Sequence, residues 1–258
     1  LCMACHNTRN GEHNDFVAPT TSYSGPHTPA QTDVLFGFNA YFVSRYSPSA
    51  HLAVKDTCVG CHVALPTPAQ AALNQKTNHT FKPDPALCQS CHGATVDGVG
   101  LKTTLTAQIV VTETAIAAKV VLLLGTAVKD NGSFLARAWD EKTDLYSAAA
   151  PNVVISKAPT TAEMTHIHGQ TGFILHLPAK IKVTWTDGKS SDIDELWVRA
   201  SELVAGAAGK EVKVLAADSV VMKAAWNMAL LHGDASSGIH NPSFYKAVLG
   251  ATQGALAK

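Results

Sequence analysis

Six cysteines fall into three pairs, and a histidine follows each pair at once: Cys2-Met-Ala-Cys5-His6, Cys58-Val-Gly-Cys61-His62 and Cys88-Gln-Ser-Cys91-His92. The spacing C-x-x-C-H is that of covalent haem attachment. Two thiols add across the vinyl groups on one edge of a porphyrin, and the next residue sets an imidazole on the iron. A single C-x-x-C could equally be half a zinc site or a thioredoxin-like redox pair. Three pairs, however, leave an odd half-site for zinc, and no βαβ pattern surrounds any of them. Three haem c groups are therefore expected, attached through Cys2, Cys5, Cys58, Cys61, Cys88 and Cys91 and ligated by His6, His62 and His92. Covalent haem attachment is completed outside the cytoplasm, which predicts a periplasmic or extracellular protein. The use of every cysteine in a motif fits an oxidising compartment.

Each iron takes a second axial ligand unless it is catalytic. Of the twelve histidines, nine remain after the three motif residues. His27 sits in the Gly25-Pro26-His27 turn, His79 in Asn78-His79-Thr80-Phe81-Lys82-Pro83, and His240 in Gly238-Ile239-His240-Asn241-Pro242. Proline and glycine stiffen these turns, and a stiff turn can hold a ligand in place. His51 lies seven residues before Cys58 and is singled out by that closeness. These four are the expected distal ligands. His13, in a Gly/Asn/Asp-rich loop, reads as solvated. Met222 and Met228 lie in an apolar helical stretch and read as core, while Met3 is inside a motif. Bis-histidine ligation, and with it a low potential, follows.

These residues carry a resemblance. Cys5-His6-Asn7-Thr8-Arg9, Gly25-Pro26-His27, Val54-Lys55-Asp56-Thr57-Cys58 and His79-Thr80-Phe81-Lys82-Pro83 resemble the multihaem c-type cytochromes of metal- and nitrogen-respiring prokaryotes. Ala224-Ala225-Trp226-Asn227 followed by Ser237-Gly238-Ile239-His240-Asn241-Pro242 is similar to the helix–turn–helix of cytochrome c nitrite reductase and its octahaem relatives. That similarity implies a distal-ligand role for His240. The resemblance covers roughly residues 1–100 and 217–258. Nothing in the chain matches the lysine-ligated catalytic haem motif of nitrite reductase.

Four distal candidates for three irons leave one to spare. The spare histidine serves either no haem or a fourth one, carried on a missing segment or on a neighbouring subunit. The latter implies a homo-polymer with inter-subunit ligation, like the polymeric extracellular cytochromes of this family. The chain starts at Leu1, one residue before a motif, and reads as processed or N-terminally incomplete.

The elements that must position these groups divide the 258 residues unevenly. Residues 1–100 form the trihaem-binding region, too short per haem to build a core without the porphyrins. Over residues 101–129 apolar side chains recur at Leu105, Ile109, Ile116, Val120 and Leu123, the period of one long helix, stopped by Asn131-Gly132. Residues 130–215 read as a small antiparallel β insertion. Its expected strands are 152–156, 171–177, 180–186 and 191–199, with Asp187-Gly188 as a hairpin turn. Within it Glu163, His166, His168 and His176 raise a zinc or copper site, set against a plain polar strand edge. Residues 216–258 return to two helices, the second opened by Pro242, which deliver His240. The fold class is α+β, a multihaem cytochrome c of loops and short helices around haems.

Twenty basic and twenty acidic residues balance, which excludes a basic nucleic-acid surface. No run reaches 18 consecutive apolar residues, so no transmembrane segment is expected. The composite expectation is an electron-transfer protein, not an enzyme, that serves redox partner proteins or extracellular electron acceptors. The alternative is a multihaem oxidoreductase, or its subunit, acting on nitrite, hydroxylamine or sulfur oxyanions.

Overall fold

The computed structural model describes residues 2–9, 11–17, 26, 29–64, 80–140, 142–148, 153–168, 171–206 and 212–258. Among the described residues the first part carries four short helices: α1 (Cys2–Cys5), α2 (Gln31–Phe36), α3 (Cys58–His62) and α4 (Ala86–His92). A 3-10 turn, Ala50–Ala53, carries His51. Next comes α5, Gly98–Asn131, a 34-residue helix about 50 Å long at 1.5 Å per residue. It starts three residues before the expected boundary, because the Asp97 side chain accepts a 2.7 Å bond from the Gly100 amide and caps it. Gly132, left-handed at φ 78°, ends it.

Seven strands follow: β1 (Phe134–Asp140), β2 (Leu145–Tyr146), β3 (Val153–Ile155), β4 (Met164–His166), β5 (Gly172–Thr184), β6 (Ser190–Ala205) and β7 (Val212–Lys213). They form one antiparallel sheet in the order β2-β1-β6-β5-β4, with β3 also on β1 and β7 on β6. The sheet is larger than the small insertion expected. Two of the expected strands are one, β5, whose register shifts between His176 and Ile181. Pro178 lies in that interval and has no amide proton to give to a ladder. Gly188, at φ 83°, closes the hairpin into β6.

Two helices complete the chain, α6 (Val220–Asp234) and α7 (Pro242–Leu256). Ser219 caps α6, and Asn241 caps α7 ahead of Pro242 at its first turn. The chain is thus α+β.

One apolar core runs through the sheet, α5, α6, α7 and the segment around α2. The buried face of α5 includes Leu105, Ile109, Thr112, Ile116, Val120 and Leu124, at three- and four-residue steps. Averaged over 18 residues, this helix is long and apolar enough to cross a bilayer, which the search for an unbroken apolar run misses. In this structure its buried face lies against β4, β1, α6 and α7.

The N-terminal segment is sewn to the C-terminal helices. Trp226 Nε1 donates to Asn39 O at 2.8 Å, and the Asn227 amide brackets the Tyr41 backbone at 2.9 and 3.0 Å. Asn241 Nδ2 donates to Val34 O and Ser47 O, and the Ala30 amide donates to Gly233 O.

The stretches bearing the second and third motifs behave differently. No described residue in 42–64 or 80–104 is buried. Phe81, Val59, Val96 and Val99 are instead exposed. Leaving apolar surface in water forgoes about 25 cal/mol per Å², so these stretches lack a protein core of their own.

Candidate functional site

Each C-x-x-C-H motif is wound into about one helical turn, in α1, α3 and α4. A turn of helix sets residues i and i+3 on one face, so the two thiols of each pair point the same way. All six are free thiols, and those of α1 and α4 are exposed. Burial pushes the Cys61 thiol pKa up, and the neighbouring thiols of Cys88, Cys58 and Cys91 push it further. The second and third motifs are therefore neighbours.

Histidines face one another across these motifs. The ring of His62 lies 6.1 Å from that of His240, and the ring of His92 lies 5.9 Å from that of His51, centroid to centroid. Two imidazoles bound trans to one metal by bonds of about 2 Å have centroids about 6 Å apart. Each pair joins a motif histidine to one of the expected distal histidines.

The ring nitrogens are assigned by their hydrogen bonds. His62 Nδ1 donates to Phe81 O at 2.7 Å, and His51 Nδ1 to His240 O at 3.4 Å. His240 Nδ1 donates to Asp234 Oδ1 at 2.5 Å. His6 Nδ1 donates at 3.0 Å to Gln31 Oε1, whose orientation is set because Gln31 Nε2 donates to Gly233 O and Asp234 O. In all four residues Nε2 is left for a metal, the arrangement that a second shell imposes on ligating histidines.

Asp234 anchors the most elaborate of these shells. Its side chain is fully buried, and besides His240 it accepts from Tyr245 Oη at 3.0 Å and from Ser236 Oγ. Burial and the Asp234 carboxylate both drive the Tyr245 phenol pKa far upward, so it stays a donor. The turn from α6 to His240 runs through Ala235, Ser237 and Gly238, all at positive φ. Gly238, at φ 96°, holds a backbone conformation that side-chain-bearing residues rarely adopt, and a Cβ there would also press on Leu105 Cδ1.

His27 and His79 lie outside the described residues. Neither of the described pairs includes His6. His13 is not solvated, as its loop composition implied: it is buried, stacked on Trp226 at 3.7 Å, with Nδ1 3.3 Å from Tyr41 Oη. Met164, Met222 and Met228 are buried in the core.

Glu163, His166, His168 and His176, raised as a metal site against a polar strand edge, do not come together as one cluster. Glu163 bonds Thr160, and His176 faces Glu195 across β5 and β6 at 3.4 Å. The carboxylate that meets His166 and His168 is Glu113 of α5, joined by His232 of α6. Burial raises the Glu113 pKa, but the three histidines outweigh it and hold the carboxyl well below its usual range. His166 is buried with neither ring nitrogen hydrogen-bonded, a state that costs about 1–3 kcal/mol. Sequence reasoning missed Glu113 and His232. The available signal was an acidic residue on the buried stripe of α5, between Ile109 and Ile116.

The α+β chain thus brings His62 near His240 and His92 near His51, each pair including the histidine of a C-x-x-C-H turn. No family model, curated protein or solved structure matches the chain.

Proposed function

We propose that the chain is an extracytoplasmic multihaem c-type cytochrome that transfers electrons and carries three covalent haems. The observation that supports it most is the facing of His62 with His240 and of His92 with His51 at the spacing of a trans pair across one iron. Free thiols on one face of each motif turn and exposed apolar side chains in the coreless stretches fit the same group. One-electron exchange at iron is the chemistry the bound haems supply. The chain's own residues attach, ligate and orient: Asp234, the Phe81 carbonyl and Gln31 fix the imidazole tautomers.

The two pairs use His51 and His240, so His27 and His79 remain for the iron of His6. One of them is surplus, which suits a haem on another segment or on a neighbouring copy in a homo-polymer. Redox partner proteins or extracellular acceptors would exchange the electrons. A second reading, an oxidoreductase acting on nitrite, hydroxylamine or sulfur oxyanions, draws on His6, the one motif histidine with no facing histidine among the described residues.

The test is intact mass and EPR of the protein secreted from a haem-attaching host. Three covalent haems, all low-spin when oxidised, are expected, and Cys88→Ala/Cys91→Ala removes one. A mass without haem overturns the proposal, and a stoichiometric high-spin iron transfers it to the oxidoreductase reading. Size exclusion of the same sample reports the polymer.

Asp234→Asn weakens the negative charge behind His240. The midpoint potential of one haem should rise by about 60–120 mV, the equivalent of a tenfold to hundredfold second-shell effect at 59 mV per tenfold. Spectroelectrochemical titration measures it, with haem content unchanged.

A further inference from the structure

Glu113, His166, His168 and His232 converge from α5, the end of β4, the residues just after it and the last turn of α6. Glu113 Oε2 lies 3.0 Å from His168 Nδ1, and Oε1 lies 3.0 Å from His232 Nε2 and 3.5 Å from His166 Nδ1. We propose that these four side chains bind one divalent transition-metal ion of the zinc class, separate from the haem irons. The proposal does not rest on the haem reading.

Four ligands at about 2.0–2.1 Å around a tetrahedral ion stand about 3.3 Å from one another. The three observed separations bracket that value. The candidate ligand atoms of Glu113, His168 and His232 all lie within 4.8 Å of one another. His166 is the independent observation. Its side chain is 1% exposed, and neither nitrogen has a hydrogen-bond partner. A purely hydrogen-bonded cluster leaves His166 with only a 3.5 Å ion-pair contact to Glu113, whereas a cation shared with Glu113 uses its Nδ1 lone pair.

Three imidazoles and one carboxylate favour zinc, copper or nickel over magnesium or calcium, which take oxygen. A haem iron does not fit here, because the rings of His168 and His232 are only 3.3 Å apart, about half the spacing of a trans pair. Two imidazoles on one tetrahedral ion stand about 5 Å apart, so binding swings the exposed His168 ring outward. His168, with a side chain 58% exposed, opens the site to solvent and gives an ion its way in. The ion would clamp the long helix, the sheet and α6 together. His232 lies two residues before Asp234, so the clamp also steadies the turn that presents His240.

The test is zinc titration of the chelator-treated protein by calorimetry, with bound metal counted by elemental analysis. One equivalent is expected. His168→Ala and Glu113→Gln should each lower the apparent affinity about 100-fold or more, while His176→Ala, whose ring pairs with Glu195 instead, leaves it unchanged. Zinc should raise the melting temperature of the parent and not of His168→Ala. If Glu113→Gln fails to fold, the exposed His168→Ala variant decides alone. Sub-stoichiometric binding, or equal affinity in parent and His168→Ala, overturns the proposal. The titration uses protein whose six cysteines are haem-linked or alkylated, so that their thiols take no zinc and the result stands or falls apart from the electron-transfer reading.

Discussion

His240→Ala is expected to convert one iron in three from low-spin to high-spin while leaving all three haems attached. His240 faces His62 at 6.1 Å, and its ring is turned there by Asp234. Alanine removes the ligand without touching the cysteines of α3 or the buried side chains of α6 and α7. The attachment and the fold should therefore survive, and only the sixth coordination position changes. His51→Ala should do the same to a second iron, because its ring faces His92 and not His62. The double variant should then show two high-spin irons in three. EPR spin quantification, with intact mass as the control for haem content, reads all three variants. Wild-type-like spectra from His240→Ala would remove the pairing. Identical, non-additive spectra from the single and double variants would place both histidines on one iron.

Trp226→Ala should cost about 3–5 kcal/mol, the range for emptying a large buried aromatic site. Trp226 is fully buried, stacked on His13 at 3.7 Å and edge-on to Tyr41 at 6.5 Å. Its indole N–H satisfies the Asn39 carbonyl, so truncation also leaves that acceptor unpaired. At about 2–4 °C per kcal/mol for a chain of this size, the melting temperature should fall by about 6–20 °C. Trp226→Phe keeps much of the ring contact and loses the hydrogen bond, and should fall between alanine and the parent. Thermal unfolding followed by far-ultraviolet circular dichroism ranks the three. An alanine variant melting within about 2 °C of the parent would mean that the seam between the first part of the chain and α6 carries little of the stability.

The elements most legible in the sequence were those with a local signal. The three- and four-residue steps from Leu105 to Leu123 mark α5, and Asp187-Gly188 marks the hairpin. Pro242 marks the first turn of the last helix. The strand β1 was not legible. It is buried on both faces, so Phe134 to Asp140 does not alternate, and it follows Gly132 with almost no loop. The continuity of β5 through Pro178 was hidden for the opposite reason, since a proline reads as a break. The three C-x-x-C-H motifs were legible as short local patterns, and each is wound into a helical turn. Which histidine meets which did not follow from spacing, because His62 and His240 are brought together by the folding of everything between them. The Glu113 cluster was missed because its carboxylate comes from a helix fifty-odd residues before the histidines that a local reading grouped with Glu163.

The bonds from Ala30, Asn39 and Tyr41 to α6 have a consequence for the order in which the protein matures. The C-x-x-C-H turns are synthesised first and the histidine opposite His62 nearly last. His62 can meet His240 only once α6 and α7 have docked on the N-terminal segment. If the proposed haem is held there, the arrival of His240 beside His62 would report by colour that the last part of the chain has folded.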